Sequence, residues 1–215
     1  MKFSEINLLD ELEKKELSEL RGIFHERNVK KKSIVFHPEG EENLVFVVAK
    51  GRVRIYLGYE DKEFTVGILG PGDPYSTHAD CFVQALEDSS LLVTDVLSVK
   101  RCMAEMPLFT RTMVRVLGHI LQNSFSIIGG LAFKDIQSRL TALLAKTARD
   151  SGVLVDDGVE ITLDLTTEQL AQILGATRQT VSTLLNNLIR EGLIIKKARS
   201  TWFIPDPAAL EAGMD

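Results

Sequence analysis

Residues 165–192, LTTEQLAQILGATRQTVSTLLNNLIREG, constrain the chain most, because they spell two short capped helices separated by a single glycine turn. Thr166 is placed to cap the first helix, with Gln169 at the capping-box position three residues on. Leu170, Ala171, Ile173 and Leu174 give that helix an inward face, and Gly175 permits the tight turn that follows. Thr177 is placed to cap the second helix. There Val181, Leu184, Leu185, Leu188 and Ile189 fall at i, i+3, i+4, i+7 and i+8, a single apolar stripe, and Gly192 stops the helix. Gln179, Thr183 and Asn186 project from the opposite face, with Arg178 at the helix start. Side chains of these types hydrogen-bond base edges and phosphates, so the pattern predicts a helix-turn-helix whose second helix enters a major groove. The alternative is an ordinary helical hairpin buried in a core.

Charge favours the first reading. The chain carries a net charge of −5, which argues against indiscriminate nucleic-acid binding. Between positions 176 and 205, however, Arg178, Arg190, Lys196, Lys197 and Arg199 face only Glu191. A basic stripe on an acidic protein suits docking on DNA in one orientation. The 215 residues, 45% of them hydrophobic, suffice for one large or two modest domains. No uninterrupted run of about 18 apolar residues occurs, so no membrane span is expected. The first 15 residues are acidic and amphipathic with no signal-peptide core, which predicts a cytoplasmic protein. Cys81 and Cys102 are too few for a disulfide framework or a four-cysteine cluster. His25, His37, His78 and His119 are scattered, and neither a nucleophile–base pair nor paired carboxylates stand out, so no enzyme is expected.

Residues 5–28 read as a short helical lead-in. From 32 to about 95 the texture becomes β: SIVFHPEG, NLVFVVAKG, RVRIYLGYED, KEFTVGILGPGD, ADCFVQALED and SSLLVTDV are short Val, Ile, Phe and Tyr runs broken by turn residues. That spacing predicts a small barrel or double-sheet roll. A long helix is expected from Pro107, where Thr110, Val114, Leu117, Leu121, Ser124, Ile128 and Leu131 follow a 3.5-residue repeat, the seam of a dimerising coiled coil. Met113, Ile120 and Ile127 form a second line suited to packing on the roll. Gly129 and Gly130 each cost about 1 kcal/mol against alanine in a helix, marking a candidate hinge. Another amphipathic helix is expected over 133–149, then a hairpin in GVLVDDGVEITLDL, the helix-turn-helix, and a small β wing in KKARSTWFIPD. The class is therefore α+β: an N-terminal β-roll, a long dimerisation helix and a C-terminal winged helix-turn-helix, divided as 1–131 and 132–215. A two-fold dimer would set its recognition helices one DNA turn apart on a palindromic double-stranded operator.

This order, and above all ATRQTVSTLLNNLIREGLI, resembles the cyclic-nucleotide-receptor and fumarate-nitrate (CRP/FNR) family of bacterial transcription regulators over nearly the whole chain. The resemblance implies a roll like a cyclic-nucleotide-binding domain, in which effector binding shifts the long helices and reorients the DNA-binding domains. It also implies Arg178, Gln179, Ser182 and Thr183 as the DNA-contacting residues and RNA polymerase as a further partner. Nucleotide-binding members hold the cyclic phosphate with an arginine, yet the matching stretch here, GPGDPYSTHADCFVQALED, has none, and a buried phosphate would be poorly paired. Oxygen-sensing members use an N-terminal cysteine cluster, and no cysteine precedes Cys81. EENLVFVVAKGRVRIYLGYEDKEFTVGILGPGD, His78, VLGHILQNS and LAFKDI instead resemble the haem-containing carbon monoxide sensors of the family.

From that likeness follow one b-type haem per subunit, His78 as an iron ligand, and carbon monoxide as the signal that activates genes of carbon monoxide metabolism. Leu117, Gly118 and Leu121 would cover the bound gas, with Pro74, Tyr75 and Phe82 as pocket walls. The candidate for the other axial ligand is the amino-terminal nitrogen of Met1 of the partner subunit, with His119 as the alternative, although position 119 falls outside the heptad seam. Some members place a thiolate just before the histidine. Ser76 and Thr77 stand here instead and are poor ferric ligands, leaving Cys81 as a substitute thiol. The other expectation is a regulator of the same fold that answers a different small effector without haem.

Overall fold

The computed structural model describes residues 7–14, 17–40, 42–155 and 157–212. Two compact units emerge: the first draws on residues up to Lys62 and on Val66–Phe125, the second on Glu63–Thr65 and on residues from Ser126 onward.

The first unit is a double-sheet roll. Strands β1 (His25–Val29), β2 (Ile34–Phe36), β3 (Leu44–Lys50), β4 (Val53–Tyr59), β5 (Lys62–Leu69), β6 (Pro74–Ser76), β7 (Phe82–Ala85) and β8 (Ser89–Asp95) form two four-stranded sheets, ordered β1-β8-β3-β6 and β2-β7-β4-β5. Successive side chains of a strand point to opposite faces, and β3 is apolar on both. Its Phe46 and Val48 turn into the core between the sheets with Ile55, Leu69, Val83 and Leu91. Its Val45 and Val47 turn outward under a helical layer with Leu8, Leu12, Leu17, Leu20 and Phe109. That is why β3 reads as a continuous apolar run and not as an alternating one.

The helical layer comprises α1 (Leu8–Leu12), a 3₁₀ segment Ser18–Ile23, α2 (Val96–Glu105) and the first turns of α3 (Pro107–Phe133). The lead-in expected to be helical to residue 28 therefore ends earlier. β1 is an edge strand whose HERNV sequence carries no apolar period, because it gives its backbone to β8 while His25, Glu26 and Asn28 face outward. The α2 helix also went unexpected, hidden behind the apolar end of SSLLVTDV.

α3 runs unbroken through Gly129 and Gly130. Phe109, Thr112 and Val116 are buried, and Met113 and Ile120 pack against the roll as expected. The heptad seam faces away: Val114, Leu117, Leu121 and Ile128 are each more than half exposed. By length and composition alone this helix could cross a membrane, contrary to the expectation. The test for an uninterrupted apolar run missed it because Arg111, Arg115 and several small polar residues punctuate it. A helix packed along one side against the roll has a different use for its apolar surface.

The second unit places α4 (Ile136–Ser151), strands β9 (Val153–Val155) and β10 (Gly158–Thr162), α5 (Thr167–Leu174), α6 (Arg178–Arg190), strands β11 (Ile195–Lys196) and β12 (Thr201–Ile204) and α7 (Pro207–Ala212) around one core. The sheet order is β11-β12-β10-β9. α4 starts at Ile136, capped by Asp135, and not at 133, where α3 is still helical.

Phe46 is fully buried against Phe36 and Tyr75, with ring centroids 5.4 and 5.7 Å away. Phe46→Ala is expected to cost about 3–5 kcal/mol, read as a lower denaturant midpoint at unchanged slope. At the start of α2, Asp95 accepts a hydrogen bond from the Ser98 hydroxyl at 2.7 Å and one from the Ser98 backbone N–H at 2.8 Å. These hold its carboxyl below the usual range. The cap is then fully present above the unfolded carboxyl's pKa of about 4 and lost as pH falls through the lower folded value. Acid titration of stability is expected to be shallower in Asp95→Asn than in the wild type.

Candidate effector loop and nucleic-acid interface

The nucleic-acid face follows from capping and period. Thr166 and Gln169 form the reciprocal capping box, and Gly175 closes α5 in the left-handed region at φ 61°. Thr177 accepts a hydrogen bond from the backbone N–H of Thr180 to start α6. Val181, Leu185 and Leu188 are buried, while Ile189, expected inside, is 38% exposed at the end of the stripe. Arg178, Gln179, Ser182, Thr183 and Asn186 are all exposed. At 100° per residue Gln179, Ser182, Thr183 and Asn186 share one face away from the buried one, with Arg178 at the helix start beside it. In the wing, Lys196 lies over the Trp202 ring and Lys197 over the Phe203 ring, each at 5.3 Å, which holds two cations on the same short hairpin.

The roll presents His78 differently, on a short 3₁₀ turn, Thr77–Ala79, between β6 and β7. Ser76 caps the turn: its Oγ receives the His78 backbone N–H at 3.5 Å and lies 2.9 Å from His78 Nδ1. Thr77 anchors the turn to β3, donating to the Glu42 carbonyl at 2.6 Å and accepting from the Leu44 N–H at 3.0 Å. Asp80 leaves the turn in the left-handed region at φ 48°. Cys81 donates from Sγ to the Ala79 carbonyl at 3.2 Å. The Tyr75 and Cys81 side chains interact at the base of the loop. The imidazole is thus exposed at the apex of a loop tied at nearly every polar position.

Burial pushes the Cys81 thiol up, against the opposing pull of the Tyr75 hydrogen bond, and burial likewise raises the Tyr75 phenol. Pro74 and Tyr75 are buried in the roll and not open walls. Phe82 is half-buried, stacked on Tyr56 at 4.9 Å and meeting His37 edge-on at 5.4 Å. Leu117 and Leu121 are 57% and 54% exposed on α3, and Gly118 has open space where a Cβ would stand. Between them Ile120 packs against the core cluster that contains Tyr75. His119 is half-buried on the same helix, and Met1 lies outside the described residues.

Among the described residues no three His, Cys, Asp or Glu side chains gather to hold a metal ion. Haem iron makes no such demand, since the porphyrin supplies four nitrogens and the protein only axial donors. A single oriented imidazole fits that requirement. Two features escaped sequence reasoning. The Ser76 hydroxyl on His78 was legible only as a serine two residues ahead, the spacing of a serine turn. Arg54, buried on β4, is bonded to Gln84 at 2.9 Å and stacked 4.1 Å from the Tyr56 ring, an arginine in an apolar strand that gave no periodic signal.

A winged helix-turn-helix combined with a double-sheet roll and a long helix defines a DNA-binding regulator with a sensory domain. Residues 138–212 match the Crp-like helix-turn-helix domain and residues 26–106 the cyclic nucleotide-binding domain. The chain is 30% identical to the global nitrogen regulator of Synechocystis sp. over 82% of each protein. A double mutant of CooA from Carboxydothermus hydrogenoformans superposes with a TM-score of 0.93 at 42% identity, covering 99% of this chain and 97% of that one. The reduced (FeII) CO-sensing protein from R. rubrum gives 0.56 at 31% identity, covering 96% and 98%. The chain belongs to the CRP/FNR family of DNA-binding transcription regulators, a class of transcription factors and not of enzymes.

Gln179→Ala is expected to cost about 1–3 kcal/mol at one base pair of the operator and to relax the preference there. Lys197→Ala is expected to weaken all sequences alike and to lower the salt slope by about one. Binding titrations across single-base operator variants at two salt concentrations separate the two behaviours.

Proposed function

We propose that the protein is a homodimeric, cytoplasmic regulator that senses carbon monoxide through one b-type haem per subunit, held by His78, and activates genes of carbon monoxide metabolism together with RNA polymerase. The observation that carries this reading is the exposed imidazole at the apex of a clamped loop, with Nδ1 already engaged by Ser76. Full-length likeness to CooA and to a CO-sensing protein supports it. So does the lack of any arginine or lysine in residues 70–88 to receive a phosphate.

Haem, when bound, supplies a ferrous iron with an axial position for a small neutral gas. His78 would hold it through Nε2, and the amine of Met1 of the partner subunit is the candidate second protein donor. Leu117, Gly118 and Leu121 form an apolar strip on α3, with room beside Gly118 for a diatomic molecule. Leu117 and Leu121 are themselves seam positions, so a change in their packing bears directly on how two α3 helices meet. In this reading residues 1–131 sense and dimerise, residues 132–215 bind a palindromic operator through Arg178, Gln179, Ser182 and Thr183, and the helix between them carries the signal.

The 30%-identical nitrogen regulator and the cyclic nucleotide-binding match favour, as the second reading, a different small effector without haem. Absorption spectra of haem-reconstituted, dithionite-reduced protein decide between the two. A six-coordinate spectrum that shifts with carbon monoxide, and is disrupted in His78→Ala, is the expected result. Absence of specific haem uptake would overturn the haem reading and leave the DNA-binding regulator in search of another effector.

A further inference from the structure

We propose that Ser76 is the positioning residue of His78: its hydroxyl oxygen accepts a hydrogen bond from Nδ1–H, fixing the imidazole tautomer and leaving Nε2 as the free donor. The inference deepens the haem reading and rests on it for the choice of tautomer, which is then measurable in the haem-free protein.

Geometry sets the pair, and the ligand role sets the proton. The His78 backbone N–H approaches Ser76 Oγ at 3.5 Å and takes one lone pair, while the hydroxyl keeps a proton of its own. Nδ1, 2.9 Å away, reaches the same oxygen, and a hydroxyl has a second lone pair for it. If the hydroxyl instead donated to Nδ1, the proton would sit on Nε2 and the exposed nitrogen would be unable to bind a metal. Ser76 itself is held extended at φ −120°, ψ 136° as the cap of the turn, and Thr77 pins the next residue to β3. Rotation of Oγ away from Nδ1 therefore also gives up the cap on the His78 N–H. An exposed imidazole without such a partner rotates freely and offers either nitrogen. A neutral hydroxyl, unlike a carboxylate, leaves the ring an imidazole of ordinary donor strength. This also gives position 76 a use beyond the loss of a thiolate: serine there acts through the histidine and not on the iron.

The test has two parts. The first is ¹⁵N NMR of the His78 ring in haem-free protein at about pH 8, above the ordinary histidine pKa, in wild type, Ser76→Ala and Ser76→Thr. The proton is expected on Nδ1 in the wild type, redistributed toward Nε2 in Ser76→Ala, and restored to Nδ1 in Ser76→Thr. The second is haem titration, in which Ser76→Ala is expected to lose affinity by about tenfold, as removal of a ligand's hydrogen-bond partner does, and Ser76→Thr to retain it. A wild-type ring with its proton on Nε2, or one unmoved by Ser76→Ala, overturns the assignment whatever haem does. Haem uptake unchanged in His78→Ala, with the tautomer as expected, overturns the haem reading instead and leaves the Ser76–His78 pairing standing.

Discussion

A helix with two apolar stripes needs two partners, and α3 finds only one within its own chain. Phe109, Thr112 and Val116 are buried, and Met113 and Ile120 pack against the roll. The stripe through Val114, Leu117, Leu121 and Ile128, about a quarter-turn around the helix, stays in contact with solvent. Exposed apolar surface on this scale marks an interaction site, and its 3.5-residue period is that of a helix meeting its own copy. Regulators of this family are dimeric, which gives the stripe its use and removes any need for a membrane. The packed and exposed stripes lie on one continuous helix.

The effector loop depends on a different economy, in which one side chain is offered and all its neighbours are tied down. Tyr75, Ser76, Thr77 and Cys81 each spend their polar atoms on the loop or on the adjacent strand, leaving the His78 ring at the surface. Such a loop cannot build a metal cage, and a porphyrin does not ask it to. If the loop binds haem as proposed, its contribution is order: an imidazole already tied in place meets the cofactor without first being ordered.

The second unit was legible almost residue by residue because its signals are local. Caps at Thr166 and Thr177, a left-handed glycine at 175 and a clean helical period leave few alternatives within the helix-turn-helix, where Ile189 lies exposed at the end of its stripe; the later start of α4 and the closing helix α7 were not foreseen. The roll was legible where strands are apolar. β1 and β6 were not, since HERNV is a polar edge strand and PYS is three residues with a proline at a sheet edge. Their pairing is decided by β8 and β3, far away in sequence. His78 could be singled out from a family likeness, but the hydroxyl that orients it depends on the turn conformation, which composition does not encode. Facing direction in a short strand follows register, and the β3–β6 register sets the Tyr75 ring against Phe46, a placement that composition does not encode.

The most direct measurement is the affinity of the reduced, haem-loaded dimer for its palindromic operator, by fluorescence anisotropy with and without carbon monoxide. If the α3 seam couples the gas site to the recognition helices, the gas tightens specific binding by a factor of about 5–150, the usual span of coupling between sites, and leaves binding to random DNA unchanged. Equal operator affinity with and without the gas, in protein whose spectrum proves that the gas is bound, would contradict the account.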